Sequence, residues 1–105
     1  DRLINQLWVR CYELGQRAQM EEKHRYAATL FRTWTFVQPD AVYPNLRAAV
    51  SYIALGKKKM AIRYLEHAVD NGLKDVKRLQ TPEFAALNGE KRFDQLLKKL
   101  GTENR

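Results

Sequence analysis

Apolar residues recur at intervals of three and four along most of the chain, as in Leu7, Cys11, Leu14 and Ala18, and again in Ala27, Leu30, Phe31 and Trp34. That spacing gathers them on one side of a 3.6-residue helix, and the strict alternation that a half-buried strand needs never persists. Turn-forming or polar residues interrupt the pattern at Glu21-Glu22-Lys23, Gln38-Pro39-Asp40, Gly56 with the three lysines after it, Asn71-Gly72, Thr81-Pro82 and Asn88-Gly89. The pattern predicts helices over 2–19, 22–37, 42–55 and 58–70, a short one near 82–88 and a last one near 90–100. Residues 101–105 are left as a tail.

The first four predicted helices form two hairpins, and a shift of thirty-four residues superposes the second on the first. Trp8 to Ala41 aligns with Val42 to Asp75 without a gap. Under this shift Gly15 meets Ala49, Ala18 meets Tyr52, Ala27 meets Ala61, Phe31 meets Leu65 and Trp34 meets Ala68. Two antiparallel helices approach closely only where small residues stand at the crossing, with larger side chains filling the space beside it. Gly15 costs a helix interior about 1 kcal/mol relative to alanine, so close contact with a neighbouring helix is its expected justification.

The pattern resembles the tetratricopeptide family, whose repeats share the thirty-four-residue period. The first unit supplies Leu14-Gly15, Ala27, Phe31 and Pro39; the second supplies Tyr52, Ala61 and Ala68, with Ala49 as its small residue. The family's tryptophan position holds Cys11 and Asn45 instead, and Trp8, one turn earlier, is placed to supply the missing bulk. Trp34 is larger than the family's usual residue there, and Ala48 and Ala49 are expected to make room for it. The tail from Asn71-Gly72 through Pro82-Glu83-Phe84, Leu87 and Arg92-Phe93 to Leu96-Leu97 resembles the degenerate closing segment of many bacterial repeat proteins.

The resemblance implies an all-α, right-handed solenoid of antiparallel helix hairpins forming a single domain over 1–105. Repeat 1 would occupy 8–41, repeat 2 would occupy 42–75, and a capping unit would occupy 76–100. It also implies a concave groove lined by the first helix of each repeat, which points to Val9, Tyr12 and Gln16, then Tyr43, Leu46, Arg47, Val50 and Ile53. The stretch 42–55 is apolar nearly all round, broken mainly by Asn45, Arg47 and Ser51, which marks it as central. A closing segment packed over that stretch through Phe84 or Phe93 would fill the same groove as plain core. The family's carboxylate-gripping set of Lys, Asn and Arg is not matched: only Arg47 suits it.

Composition narrows the function classes. The chain has 105 residues, 45% hydrophobic and 30% charged, which suits one soluble globular unit. Its nineteen basic and twelve acidic residues leave a formal charge of +7, spread along the chain and not gathered in a tail. Lys57, Lys58 and Lys59 open a predicted helix, where free N–H groups and ammonium groups could hold an anion or an acidic partner; an exposed lysine turn is the plainer reading. His24 and His67 lack ligand spacing, and the lone Cys11 reads as a small buried hydrophobe.

The expected role is therefore a binding module that holds another protein or peptide segment, monomeric and without a cofactor, as the C-terminal part of a larger protein. A small secretion or assembly chaperone is the alternative. Nucleic-acid binding lacks a reading motif, and catalysis lacks a nucleophile, an acid–base pair or a metal set. No apolar run is long enough to span a bilayer, and the single cysteine fits a reducing compartment such as the cytoplasm.

Overall fold

The computed structural model describes residues 2–103 and is all-helical, with no strand among the described residues. Four helices come first: α1 (Arg2–Met20), α2 (His24–Val37), α3 (Val42–Ala54) and α4 (Lys58–Asp70). Two short 3-10 helices follow, η1 (Val76–Leu79) and η2 (Pro82–Leu87), and then α5 (Lys91–Glu103). Each of the first four helices packs against the next in sequence, as short connections require. None of the described helices is long and apolar enough to cross a membrane.

Two boundaries differ from the sequence pattern by two residues or more, and one element is absent from it. The second helix starts at His24, not at 22, because Glu22 has a positive φ of 60° and so cannot be helical. The last helix continues through Glu103, past the fully buried Leu100, which shares one buried face with Phe93 and Leu96. The expected tail is thus helical at 101–103, and residues 104 and 105 lie outside the described residues, as does Asp1. The pattern missed η1, where Asp75 accepts the Lys77 backbone N–H at 3.0 Å and Leu79 is buried.

The period of thirty-four recurs in the backbone itself. At the end of α1 the Lys23 N–H donates to Ala18 O at 2.8 Å and the Glu22 N–H to Gln19 O at 3.1 Å. At the end of α3 the Lys57 N–H donates to Tyr52 O at 2.8 Å and the Gly56 N–H to Ile53 O at 2.9 Å. Every atom pair is displaced by thirty-four residues, and the pivot is left-handed both times, with φ of 60° at Glu22 and 77° at Gly56. These paired bonds satisfy carbonyls that a helix end otherwise leaves without partners.

Matched positions are also matched in burial. Ala27 and Ala61, and Phe31 and Leu65, are all fully inaccessible. Gly15 faces α2 at close range: a Cβ built there would stand 2.6 Å from Phe31 Cζ.

The two halves differ around Trp34. Its ring stacks on Trp8 at 5.7 Å and on Phe31 at 6.3 Å, meets Tyr43 at 5.4 Å and takes Tyr12 edge-on at 6.4 Å. Its indole N–H donates to Gln38 Oε1 at 2.7 Å, so the polar end of the ring is satisfied. Trp8 therefore belongs to the ring cluster around Trp34. Ala48 and Ala49 are fully buried on α3, and the rings around Trp34 come from α1, α2 and the first turn of α3.

The closing segment covers the second hairpin. Phe84 and Leu87 of η2 are buried where η2 meets α3 and α4, and α5 packs on α4 and η1. Arg92 is bonded to Glu66, and Lys99 lies 3.7 Å from Asp70, fastening α5 to α4. Those exposed pairs add little individually; burial of Leu79, Phe84, Leu87, Phe93, Leu96 and Leu100 contributes about 1.5–3 kcal/mol per side chain.

Candidate binding clefts

The side of the molecule formed by α1, α3 and η2 holds a cleft of about 490 Å³, lined by Gln16, Gln19, Met20, His24, Tyr43, Arg47, Val50 and Glu83. Helical spacing explains the α1 contribution, since Gln19 and Met20 lie three and four residues after Gln16. The floor is an internally bonded polar network. Gln16 Nε2 donates to Tyr43 Oη at 2.7 Å, and Gln19 Nε2 donates to Ser51 Oγ at 2.8 Å and to Arg47 O at 3.1 Å. Gln19 Oε1 accepts from Arg47 Nε at 3.0 Å and from Arg47 Nη2. The guanidinium then reaches η2, with Nη1 3.0 Å from Glu83 Oε2.

Each of the three polar interruptions in α3 has a hydrogen-bond partner, two of them within this network. Asn45, only 1% exposed, donates to Ala41 O at 2.8 Å; Ser51 accepts from Gln19; Arg47 bridges α1 to η2. Each is satisfied, as buried polar groups must be. One atom at the rim is not: His24 Nδ1 is buried and has no hydrogen-bond partner.

The structure brings together Gln16, Tyr43, Arg47 and Val50 from the expected groove set. Val9 and Tyr12 continue the same side of α1, each more than a third exposed at 38% and 39%. Leu46 is a correction: at 3% exposure it points into the core, because α3 is packed by α2, α4 and η2 and has little free surface. Ile53 is half-buried against the same core. Val50 is half-buried in the cleft wall, so the closing segment narrows the groove at Arg47 without sealing it. Sequence spacing did not single out Gln19, Met20, His24 or Glu83. The one available signal was that Gln19 and Met20 lie a single turn beyond Gln16.

On the opposite flank of α3, α2 and α4 border two adjoining clefts that share Arg32. One, of about 440 Å³, is lined by Arg25, Ala28, Thr29, Arg32, Tyr52, Leu55 and Lys57. The other, of about 480 Å³, is lined by Arg32, Thr33, Thr35, Phe36, Pro39, Asn45, Tyr64 and His67. The lysine run divides: Lys57 faces the first of these clefts, Lys58 lies 3.9 Å from Glu90, and Lys59 is exposed. Burial and the neighbouring Tyr52 push the Tyr64 phenol above its usual value, against a hydrogen bond to Thr35 and the charge of Arg32.

The remaining chemistry-bearing residues stay apart. Cys11 is buried, and desolvation raises its thiol above the ordinary value. His67 is exposed beside Tyr64, edge-on at 6.0 Å. Among the described residues no three His, Cys, Asp or Glu side chains converge as a metal site would require. No family model, curated protein or solved structure matches this chain.

Proposed function

We propose that the chain is a helical-repeat interaction module of the tetratricopeptide type, which holds a segment of a partner protein in the cleft between α1, α3 and η2. The observation that carries the reading is the thirty-four-residue recurrence of the α1–α2 and α3–α4 turns, bond for bond, with the same left-handed pivot. That recurrence sets α1 and α3 as equivalent helices, and they flank the cleft.

The lining suits a peptide. Exposed Met20 and half-buried Val50 offer apolar contact, with exposed Tyr12 beside Tyr43 next to the cleft, while the Gln16–Tyr43 and Gln19–Arg47–Glu83 bonds hold polar groups in fixed directions. Most of those polar groups are already bonded, so their role is to orient a segment whose affinity comes from apolar burial.

Selection from a random peptide library on the immobilised protein tests the reading. Enriched peptides are expected to lose binding to Tyr12→Ala and Val50→Glu variants that melt like the wild type. Enrichment of no peptide dependent on these two residues counts against it.

A further inference from the structure

We propose that the α2–α4 flank is a second docking surface, for an acidic segment of a partner protein that carries one aromatic or aliphatic side chain beside its carboxylates. Arg25, Arg32 and Phe36 are spaced by seven and four residues along α2, which places them in one row. Lys57, Tyr64 and His67 border the same two clefts from the start and body of α4. Arg32 lines both clefts and joins them, so a bound segment would run from a cationic end to an aromatic one.

The cationic end calls for negative charge. Arg25, Arg32 and Lys57 are all exposed, and none pairs with a carboxylate among the described residues. Nor does any Asp or Glu line either cleft. The other described clefts differ: Arg47 is met by Glu83 on the α1–α3 side, and Arg92 and Lys99 by Glu66 and Asp70 on the α4–α5 side. The start of α4 adds to the positive field, since its first turn holds no acidic residue and Lys57 makes no side-chain cap. Uncompensated cations of one sign in a concavity concentrate field on whatever enters it.

The aromatic end calls for apolar contact. Phe36 is 88% exposed, the most exposed large apolar side chain described, and it borders the cleft that holds Tyr64 and Pro39. This flank is distinct from the α1–α3 cleft, so the inference does not depend on the function proposed for that cleft.

The probe is a fluorescein-labelled peptide with one phenylalanine followed by a run of glutamates, read by anisotropy at low salt. Wild-type protein is expected to bind it, with a loss of about ten-fold in the triple variant Arg25→Gln, Arg32→Gln, Lys57→Gln. Phe36→Ala is expected to weaken the peptide but not its phenylalanine-free counterpart. In the wild type, backbone amide shifts on titration should concentrate at residues 25–36 and 57–67, a readout that requires no variant. The proposal fails if the peptide does not bind, if the triple variant binds it equally, or if shifts concentrate on α1 and η2. It also fails if an oligothymidylate binds the wild type more tightly than the peptide, which would make this flank a nucleic-acid surface.

Discussion

Gly15 faces the far end of the Phe31 ring, with room for a hydrogen and none for a methyl: an added Cβ would meet Phe31 Cζ at 2.6 Å and Cε2 at 2.8 Å. Local preference and packing therefore oppose each other at this position. Alanine would favour the helix by about 1 kcal/mol, while displacing a fully buried ring costs about 1–3 kcal/mol. Gly15→Ala is expected to lower the midpoint of urea unfolding, and a raised midpoint would show that the α1–α2 contact is looser than described.

The two recurrent turns make opposite predictions from one geometry. Glu22 holds a left-handed conformation that Gly56 adopts at no steric cost, at φ of 60° and 77°. Glu22→Gly should therefore stabilise the protein by about 0.5–1 kcal/mol, and Gly56→Ala should destabilise it by about 1 kcal/mol or more. Thermal melts of the two single variants check both signs.

Leu46 and Val50 are neighbours on α3 with different exposure. Leu46→Ala empties a core position and should cost about 2–5 kcal/mol. Val50→Glu sets a carboxylate at the cleft wall, within the same lining as Arg47, where it stays hydrated; a cost of about 1 kcal/mol is expected. Binding of a cleft-directed peptide should vanish in Val50→Glu, because the same carboxylate would be dehydrated under a bound apolar segment. If Val50→Glu unfolds the domain, α3 is core throughout and the cleft is not a binding surface.

Cys11 should behave as a reporter of opening. At 4% exposure and with its thiol held above the ordinary value near 9.0 by desolvation, it is protonated and shielded at neutral pH. Alkylation by iodoacetamide should therefore proceed at the rate at which α1 detaches. The linked effect on stability has a definite sign: above pH 9 the unfolded chain ionises this thiol before the folded one does, so folding weakens as pH rises through that range. Replacement by alanine should flatten that alkaline decline.

Helices were legible in the sequence wherever burial follows a simple period. Ala27, Phe31, Ala61 and Leu65 sit at the spacing of a buried stripe, and the core contains all four. The pivot at Glu22 was hidden, since a glutamate gives no hint of a left-handed backbone. The cleft was legible only on α1 and α3, and there only in part: apolar spacing cannot separate Leu46, which faces inward, from Val50, which faces the cleft. Glu83 and the Arg25–Arg32–Lys57 grouping depend on tertiary neighbours far apart in the chain, and no local pattern encodes them.

The ring cluster of the first hairpin has an optical consequence. Both tryptophans of the chain, Trp8 and Trp34, belong to it and stack at 5.7 Å, whereas the second hairpin and closing segment contain none. Indole fluorescence thus senses one end of the molecule, while far-ultraviolet dichroism averages over all of it. The protein carries its own pair of spatially resolved gauges, and comparing them needs no label. Superimposed melting curves would mean that the hairpins lose structure as one, and a tryptophan signal that departs first would locate the onset of unfolding at α1.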